Sequence, residues 1–457
     1  MDLFSPSDTG HVHFMGVAGA GMSALALVAR HRGVAVSGCD IDTSGAGDLT
    51  EIGVQVVEGH GPSHLEGARA LVVSAAIPAA SPEIEYAEAT GIPVIPRKKA
   101  LAELVAGGRV VGIAGTHGKT TTTVMVCEVL RSAGLSPTGI AGGRVAGWGG
   151  NATLGTGDLY VVEADEYDRA FLELSPWLSV VTNVEAEHLD TYGSVAGMEA
   201  AFTSFLNRAD RVVVSAEDVG AKRVSAGLLN HIVSFGIECG DISASDVEQT
   251  QTGTRCLVSL PEGQELRLEL QVPGLHNVRN ALAALGVAHQ LGIDPEVAGE
   301  ALRGFTGVGR RFERLGEAKG IGFVDDYAHH PSEVVAVLEA ARQAFPGRRL
   351  VVVFQPHLYS RTQRESEALG TALAGADLVV VTDVYAARED PIDGVTGERV
   401  AVAARAAGVD TVYEPDRALL EQKVYETLRP GDAVLTLGAG DVTRVGRELV
   451  QWLRDPA

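Results

Sequence analysis

The segment Val110-Val111-Gly112-Ile113-Ala114-Gly115-Thr116-His117-Gly118-Lys119-Thr120-Thr121-Thr122 restricts this chain more than any other stretch. Its apolar run reads as a buried strand, its glycines as a turn, and Lys119-Thr120 as the start of a helix predicted over residues 119–131. Strand, turn and helix in that order belong to an α/β layer structure. Gly115 and Gly118 let the backbone curl with N–H groups pointing inward, and the helix aims its positive end into the curl. Lys119 supplies a point charge for terminal phosphates, and the Thr120 hydroxyl suits Mg²⁺. The eight-residue phosphate-loop pattern is not strictly met, because its first glycine falls on Ile113; Gly-Thr-His-Gly-Lys-Thr is a shorter loop. A merely structural corner needs no lysine–threonine pair there.

Toward the amino terminus, an apolar strand over residues 11–17 runs into Gly16-Val17-Ala18-Gly19-Ala20-Gly21-Met22 and an apolar-periodic helix that stops at Gly33. A second strand, 34–40, closes on Asp40. Gly19, Gly21 and Ala24 satisfy a dinucleotide fingerprint, with Asp40 near the spacing of a ribose-binding acid. Two readings stay open on these residues: a nicotinamide dinucleotide site, or another diphosphate at a helix N-terminus. Strands over 70–74 and 92–95 and a helix near 98–105 lead to Gly107-Gly108, the first expected boundary.

Beyond the phosphate loop, a strand over 159–162 ends in Glu163-Ala164-Asp165-Glu166-Tyr167-Asp168, and another, 178–182, in Asn183-Val184-Glu185-Ala186-Glu187-His188-Leu189-Asp190. Ligands of parallel sheets collect at the carboxyl ends of strands. Glu163 and His188 are therefore expected beside the phosphates, although Mg²⁺ prefers oxygen and a histidine there is unusual. The glycine-rich stretch 139–157 is expected to be a long loop over the site. Residues 240–272, with the turn Pro261-Glu262-Gly263-Gln264, suggest a small antiparallel excursion. Asn277 either caps a helix or contacts a base. The second boundary is expected at 305–309. The last segment alternates strands (322–325, 349–354, 378–382, 411–413, 433–437) with helices in a doubly wound rhythm. Polar groups gather at their ends: Asp325-Asp326-Tyr327-Ala328-His329-His330-Pro331, Gln355-Pro356-His357-Leu358-Tyr359-Ser360-Arg361, Asp383, and Gly438-Ala439-Gly440-Asp441. The paired histidines read as site residues, although Pro331 and Ser332 begin a helix; Gly438-Ala439-Gly440 is an anion cradle or a tight turn.

Composition narrows the remainder. A length of 457 residues suggests about three domains. A net charge of −22 argues against a nucleic-acid or anionic-membrane partner while leaving room for a locally positive pocket. Cys39, Cys127, Cys239 and Cys256 are scattered, form no CxxC pair, and read neither as a zinc site nor as a disulfide framework. That cysteine usage fits a reducing cytoplasm; no apolar run reaches the roughly 18 residues of a membrane span, and the start lacks the layout of an export signal.

These motifs resemble the Mur ligases. The resemblance rests on Gly115–Thr121, Glu163-Ala164-Asp165-Glu166, Glu185 to Tyr192, His276-Asn277-Val278-Arg279-Asn280-Ala281, Gly309-Arg310-Arg311-Phe312 and Asp325 to Pro331, in the family's order, and spans residue 12 to about 442. It implies three domains. The first, 1–106, is a Rossmann-like domain for UDP-N-acetylmuramate. The second, 107–308, is a phosphate-loop ATPase domain with a mainly parallel sheet. The third, 309–457, is a Rossmann-like domain that brings the amino acid. Within the family the match is nearest the branch that joins L-alanine to UDP-N-acetylmuramate with ATP and Mg²⁺, for peptidoglycan synthesis. A ligase attaching a preformed murein peptide is the nearest alternative, and a nicotinamide-dependent dehydrogenase a remote one.

By this resemblance Gly115, Thr116, His117, Gly118, Lys119, Thr120, Thr121, Asn277, Arg310, Arg311 and Asp325 bind ATP. Gly16, Ala18, Gly19, Gly21, Met22, Asp40, Ser74 and His188 bind the UDP-sugar, and Thr120, Glu163 and His188 hold metal. Arg361 takes the alanine carboxylate, and His329 or His330 lies beside its amine. A monomer or weak homodimer is expected. Three departures stand out: residues 189–207 contain no lysine of the kind that later-acting Mur ligases often carbamylate, Leu358 stands where some relatives have arginine, and Ala328 replaces a glycine.

Overall fold

The computed structural model describes residues 3–387 and 389–454. Five strands form the first sheet: β1 (His11–Met15), β2 (Val36–Asp40), β3 (Gln55–Glu58), β4 (Ala68–Val73) and β5 (Val94–Pro96). Their order is β3-β2-β1-β4-β5, every pairing parallel. Val12 and Phe14 face a core shared with Leu25 and Val28 of the helix Ala20–His31, while Met15, Cys39 and Leu71 face a second cluster with Ile84 and Ala87. Burial on both faces explains why these strands read as continuous apolar runs.

The second sheet holds β6 (Arg109–Ala114), β7 (Thr138–Val145), β8 (Gly150–Thr153), β9 (Leu159–Glu163), β10 (Leu178–Val181), β11 (Arg211–Ser215), β12 (His231–Ile237), β13 (Ile242–Gln249), β14 (Thr254–Ser259) and β15 (Glu265–Leu270). Its order is β15-β14-β13-β12-β11-β10-β6-β9-β7-β8. The phosphate-loop strand β6 lies between β9 and β10, parallel to both, so the two acidic strand ends flank the loop. Strands β13 to β15 follow one another through turns closed by Thr250 N–H to Gly253 O and Leu260 N–H to Gln264 O, which is the form of hairpins.

The glycine-rich stretch 139–157 is not a loop. Much of it is the antiparallel pair β7–β8. Glycine carries no side chain, so the stretch shows no alternating pattern and its strands are invisible to periodicity. The missing side chains serve packing: a Cβ on Gly139 would come within 2.6 Å of Cys127 Sγ, and one on Gly142 within 2.6 Å of a Glu163 oxygen.

The third sheet comprises β16 (Glu313–Ala318), β17 (Ile321–Asp326), β18 (Leu350–Phe354), β19 (Leu378–Val381), β20 (Asp410–Tyr413) and β21 (Ala433–Leu437), in the order β16-β17-β21-β18-β19-β20. Only the β16–β17 pair is antiparallel. The expected α/β architecture of three sheet domains is borne out. By contact, however, the chain forms two compact units. One runs to Ser245 and includes Leu257–Leu268 and Arg279–Gly304; the other comprises Asp246–Cys256, Glu269–Val278 and the chain from Phe305 on.

Candidate active site

In the first unit, the phosphate loop is built from both sides. Gly115 (φ 138°) and Gly118 (φ 81°) adopt backbone conformations that side chains oppose. A Cβ on either would also collide with the side chain of Thr182 or Asn280, respectively. The end of β10 holds the loop: Asn183 Oδ1 accepts from His117 N–H (2.8 Å), Thr182 Oγ1 donates to His117 O (2.6 Å), and Asn183 O accepts from Thr116 N–H (3.0 Å). Thr116 Oγ1 in turn accepts from Glu185 N–H at 2.8 Å. The helix Lys119–Ser132 then begins at Gly118.

Four side chains converge here. Thr120 Oγ1 donates to Glu163 Oε1 at 3.1 Å, and Gly142 N–H donates to the other Glu163 oxygen at 2.5 Å. Lys119 Nζ lies 2.7 Å from Glu166 Oε2 and donates to Gly115 O at 2.6 Å. Burial acts to lower the Lys119 pKa, but Glu166, Asp165 and Glu163 outweigh it and raise it. Burial pushes the Glu166 carboxyl up to about 7 against the opposing pull of Lys119. His188 has left-handed backbone (φ 53°) and sets its ring edge-on to Tyr167, centroids 5.2 Å apart.

The amino-terminal glycine turn lies in the same unit. Gly16 (φ 82°) opens it beside Ser74, Asp40 Oδ2 accepts from Ala18 N–H at 2.9 Å, and Gly19 precedes the helix Ala20–His31. Met22 is only 1% exposed, so its side chain belongs to the core rather than to the open turn. A Cβ on Gly21 would come within 2.6 Å of Arg97 Nη1; Arg97 therefore lies over the turn, with its other nitrogen 3.7 Å from Asp165. Asn151 Nδ2 donates to Ala20 O (3.1 Å) and Ser23 Oγ (2.9 Å), tying the turn's helix to β8.

In the second unit, Asp325 is wholly buried and accepts from Thr436 Oγ1 (2.5 Å) and Thr443 Oγ1 (2.6 Å). Arg310 (φ 57°) donates to Gly438 O (2.6 Å) and Gly440 O (3.1 Å). Gly438-Ala439-Gly440 thus presents carbonyls to a cation, and its role here is that of a turn. Arg310 and Arg311 both lie over the Tyr327 ring, at 4.8 and 4.9 Å. His329 Nδ1–H donates to Tyr327 O at 2.9 Å, and the ring lies 5.7 Å from that of His357. His330 occupies the N-cap position of the helix Pro331–Ala344, where its backbone N–H donates to Glu333 Oε2 at 3.2 Å. Arg361, in the first turn of Tyr359–Leu373, is buried. Ala328 does not have positive φ, so replacing glycine there carries no backbone strain. Asn277 lies inside the helix Leu275–Gln290, past its N-cap position, and its Nδ2 donates to Pro273 O at 2.8 Å, so of the two readings the N-cap one is not met.

Sequence reasoning did not single out Arg97, Asn183, Glu166 or Asn280. Glu166 and Asn280 sit inside motifs already recognised, and Asn183 directly follows an apolar strand; Arg97 carries no local signal, because only the sheet brings it over Gly21.

Among known families, residues 11–109 match the Mur ligase family catalytic domain, residues 113–288 the Mur ligase middle domain, and residues 310–440 the Mur ligase glutamate ligase domain. A UDP-N-acetylmuramate–L-alanine ligase of Renibacterium salmoninarum is 44% identical over 461 residues, covering 99% of this chain and 97% of that protein. The crystal structure of the UDP-N-acetylmuramate–alanine ligase of Thermotoga maritima matches with a TM-score of 0.85 at 30% identity, over 97% of this chain and 99% of that one. A murein peptide ligase of Psychrobacter arcticus matches with a TM-score of 0.75 at 25% identity, over 98% and 99%. A phosphate loop between two acidic strand ends, three matching domains in sequence order and near-complete coverage by relatives at this identity lead to one conclusion: the chain belongs to the Mur ligase family.

Proposed function

We propose that this protein is an ATP-dependent amide ligase that joins L-alanine to the lactoyl carboxylate of UDP-N-acetylmuramate in cytoplasmic peptidoglycan precursor synthesis. The observation that carries this reading is the Lys119–Thr120–Glu163 constellation on a glycine loop, in a chain 44% identical over its length to a ligase of that name. Residues 1–106 serve the UDP-sugar, 107–308 ATP, and 309–457 the amino acid.

A carboxylate does not accept an amine directly, because oxide is a hopeless leaving group. Transfer of the γ-phosphoryl group to the lactoyl carboxylate releases ADP and leaves an acyl phosphate. The alanine amine, having lost its proton to a base, attacks the carbonyl carbon, and phosphate departs. Positioning and charge neutralisation dominate such phosphoryl transfer. Lys119 offsets charge on the terminal phosphates, and the backbone N–H groups of residues 115–120 orient them. The Thr120 hydroxyl and Glu163 carboxylate, 3.1 Å apart, are hard oxygen donors that fit Mg²⁺. When bound, that ion supplies further charge neutralisation. His188 assists beside the sugar nucleotide, Arg310 and Arg311 serve the nucleotide from the third domain, the buried Asp325 acts through Arg310, 3.6 Å away, Arg361 pairs with the alanine carboxylate, and His329 or His330 flanks the amine.

The test is phosphate release from ATP with Mg²⁺, UDP-N-acetylmuramate and a panel of amino acids. Release that requires both the sugar nucleotide and alanine supports the reading. A preference for a murein tripeptide in direct competition assigns the chain to the peptide-adding branch, and ATP left intact refutes ligase activity.

A further inference from the structure

The first sheet carries a second group of chemistry-bearing side chains that the ligase reaction does not use. In the parallel pair β1–β2, His13 is opposite Ser37 and Met15 opposite Cys39. Alternation along each strand therefore puts His13, Ser37 and Cys39 on the same face of the sheet. This is the face away from the helix Ala20–His31. Glu83, in the first turn of the helix Pro82–Thr90, and His64, in the short helix Pro62–Leu65, close over it. His13, Cys39 and Glu83 are 1%, 0% and 0% exposed.

Their polar atoms converge. His13 Nε2 lies 3.1 Å from Glu83 Oε1 and 3.3 Å from Cys39 Sγ. Cys39 Sγ lies 3.6 Å from each Glu83 oxygen, and His64 Nδ1 lies 3.7 Å from Glu83 Oε1. One donor atom from each of the four residues falls within 4.8 Å of all the others. Zinc bonds of about 2.0–2.3 Å in a tetrahedron put neighbouring ligands about 3.3–3.8 Å apart. The separations of 3.1–3.7 Å overlap that range, so small adjustments suffice to enclose an ion.

Two further features point to a ligand. His64 Nδ1 is buried, faces Glu83 and has no hydrogen-bond partner. His13 Nδ1 is 2.8 Å from Ser37 Oγ. A bond from Nδ1–H to that hydroxyl leaves the Nε2 lone pair directed at Cys39 and Glu83, the outer-sphere arrangement that orients metal-binding imidazoles. His60 Nδ1, 3.2 Å from Cys39 Sγ, adds a polar contact to the sulfur. Charge also balances, since one thiolate and one carboxylate neutralise a divalent ion in a site where an unpaired charge is costly.

We propose that His13, Cys39, His64 and Glu83 form a structural site for a divalent zinc-class ion, separate from the Thr120–Glu163 magnesium site. Nitrogen, sulfur and a single carboxylate select zinc over magnesium. Loading the site releases the thiol proton of Cys39 to solvent and ties the segment 59–65 and the helix Pro82–Thr90 to the sheet. The spacing is invisible in sequence, because the four ligands come from two strands and two later helical turns rather than from paired CxxC or HxxxH motifs.

The experiment uses the full chain. Zinc is measured by inductively coupled plasma mass spectrometry after purification without chelator, and Co²⁺ is then titrated into chelator-stripped protein. About one equivalent of tightly held zinc is expected, with a near-ultraviolet thiolate-to-Co²⁺ band that Cys39→Ser abolishes and Cys256→Ser leaves intact. Cobalt at the oxygen-lined magnesium site gives no such band. Should Cys39→Ser fold poorly, the stripped wild type serves: Zn²⁺, in the presence of Mg²⁺, is expected to raise its Tm by about 2–4 °C. Substoichiometric zinc with a featureless Co²⁺ titration and an unmoved Tm overturns the proposal, as does a thiolate band that survives in Cys39→Ser.

Discussion

Lys119 Nζ lies 2.7 Å from Glu166 Oε2, so the cation of the phosphate loop is already paired with a carboxylate that is only 4% exposed. A nucleotide phosphate must compete with Glu166 for it. Lys119→Ala is expected to lower phosphate release by about 10³-fold, the scale of losing a charge-stabilising donor. Binding of the sugar nucleotide, measured by calorimetry, is expected to stay within about twofold, since Gly16, Ala18 and Asp40 form a separate turn. Loss of sugar binding in this variant contradicts the assigned division of labour.

The same pair sets a pH dependence. Burial raises the Glu166 pKa from 4.5 to about 7 in the folded protein. The unfolded chain then ionises this group first, so its contribution to stability is complete below about pH 4.5 and is lost as pH rises toward 7. Relative to Glu166→Gln, the wild type is expected to lose about 1–3 kcal/mol between pH 5 and 7.5 in urea denaturation. Parallel pH profiles for the two proteins contradict this account, whatever their absolute stabilities.

Arg97 lies over Gly21 with its guanidinium 3.7 Å from Asp165. A cation over an open glycine turn suits a diphosphate, with charged hydrogen bonds worth about 1.5–3 kcal/mol. Arg97→Met is expected to raise the KM for the sugar nucleotide about 10–100-fold and leave that for ATP within about twofold. Gly21→Ala is expected to act in the same direction by displacing the guanidinium.

Gly142 approaches Glu163 so closely that a methyl group there meets the carboxylate at 2.6 Å. Gly142→Ala is expected to push Glu163 away from Thr120 and raise the Mg²⁺ concentration for half-maximal rate by about tenfold, as for disturbed metal-ligand support. Circular dichroism is expected to remain that of the wild type. An unchanged Mg²⁺ dependence removes Glu163 from the metal.

Arg361 is buried at the start of the helix Tyr359–Leu373. A guanidinium grips a carboxylate bidentately, and an ammonium does not reproduce that fork. Arg361→Ala is expected to raise the KM for alanine about 10–100-fold with the KM for ATP nearly unchanged, and Arg361→Lys to recover only part of the loss. Equal effects on both substrates remove Arg361 from its role.

What the amino-acid order determined unaided was whatever depends on neighbours along the chain. The run from Val110 to Thr122 encodes strand, turn and helix locally, and the acids closing β9 and β10 follow apolar strands too buried to be loops. These features fixed the α/β class and the position of the phosphate loop. Tertiary structure decided what depends on strand order. Setting β6 between β9 and β10 gives Lys119 its partner Glu166 and Thr120 its partner Glu163, although 47 and 43 residues separate them. The β7–β8 pair escaped detection because glycine leaves no periodic trace. Arg97 over Gly21, and His13, Cys39, His64 and Glu83 around one point, exist only once parallel strands and their crossovers bring distant residues to one face; no local spacing encodes a juxtaposition made by folding.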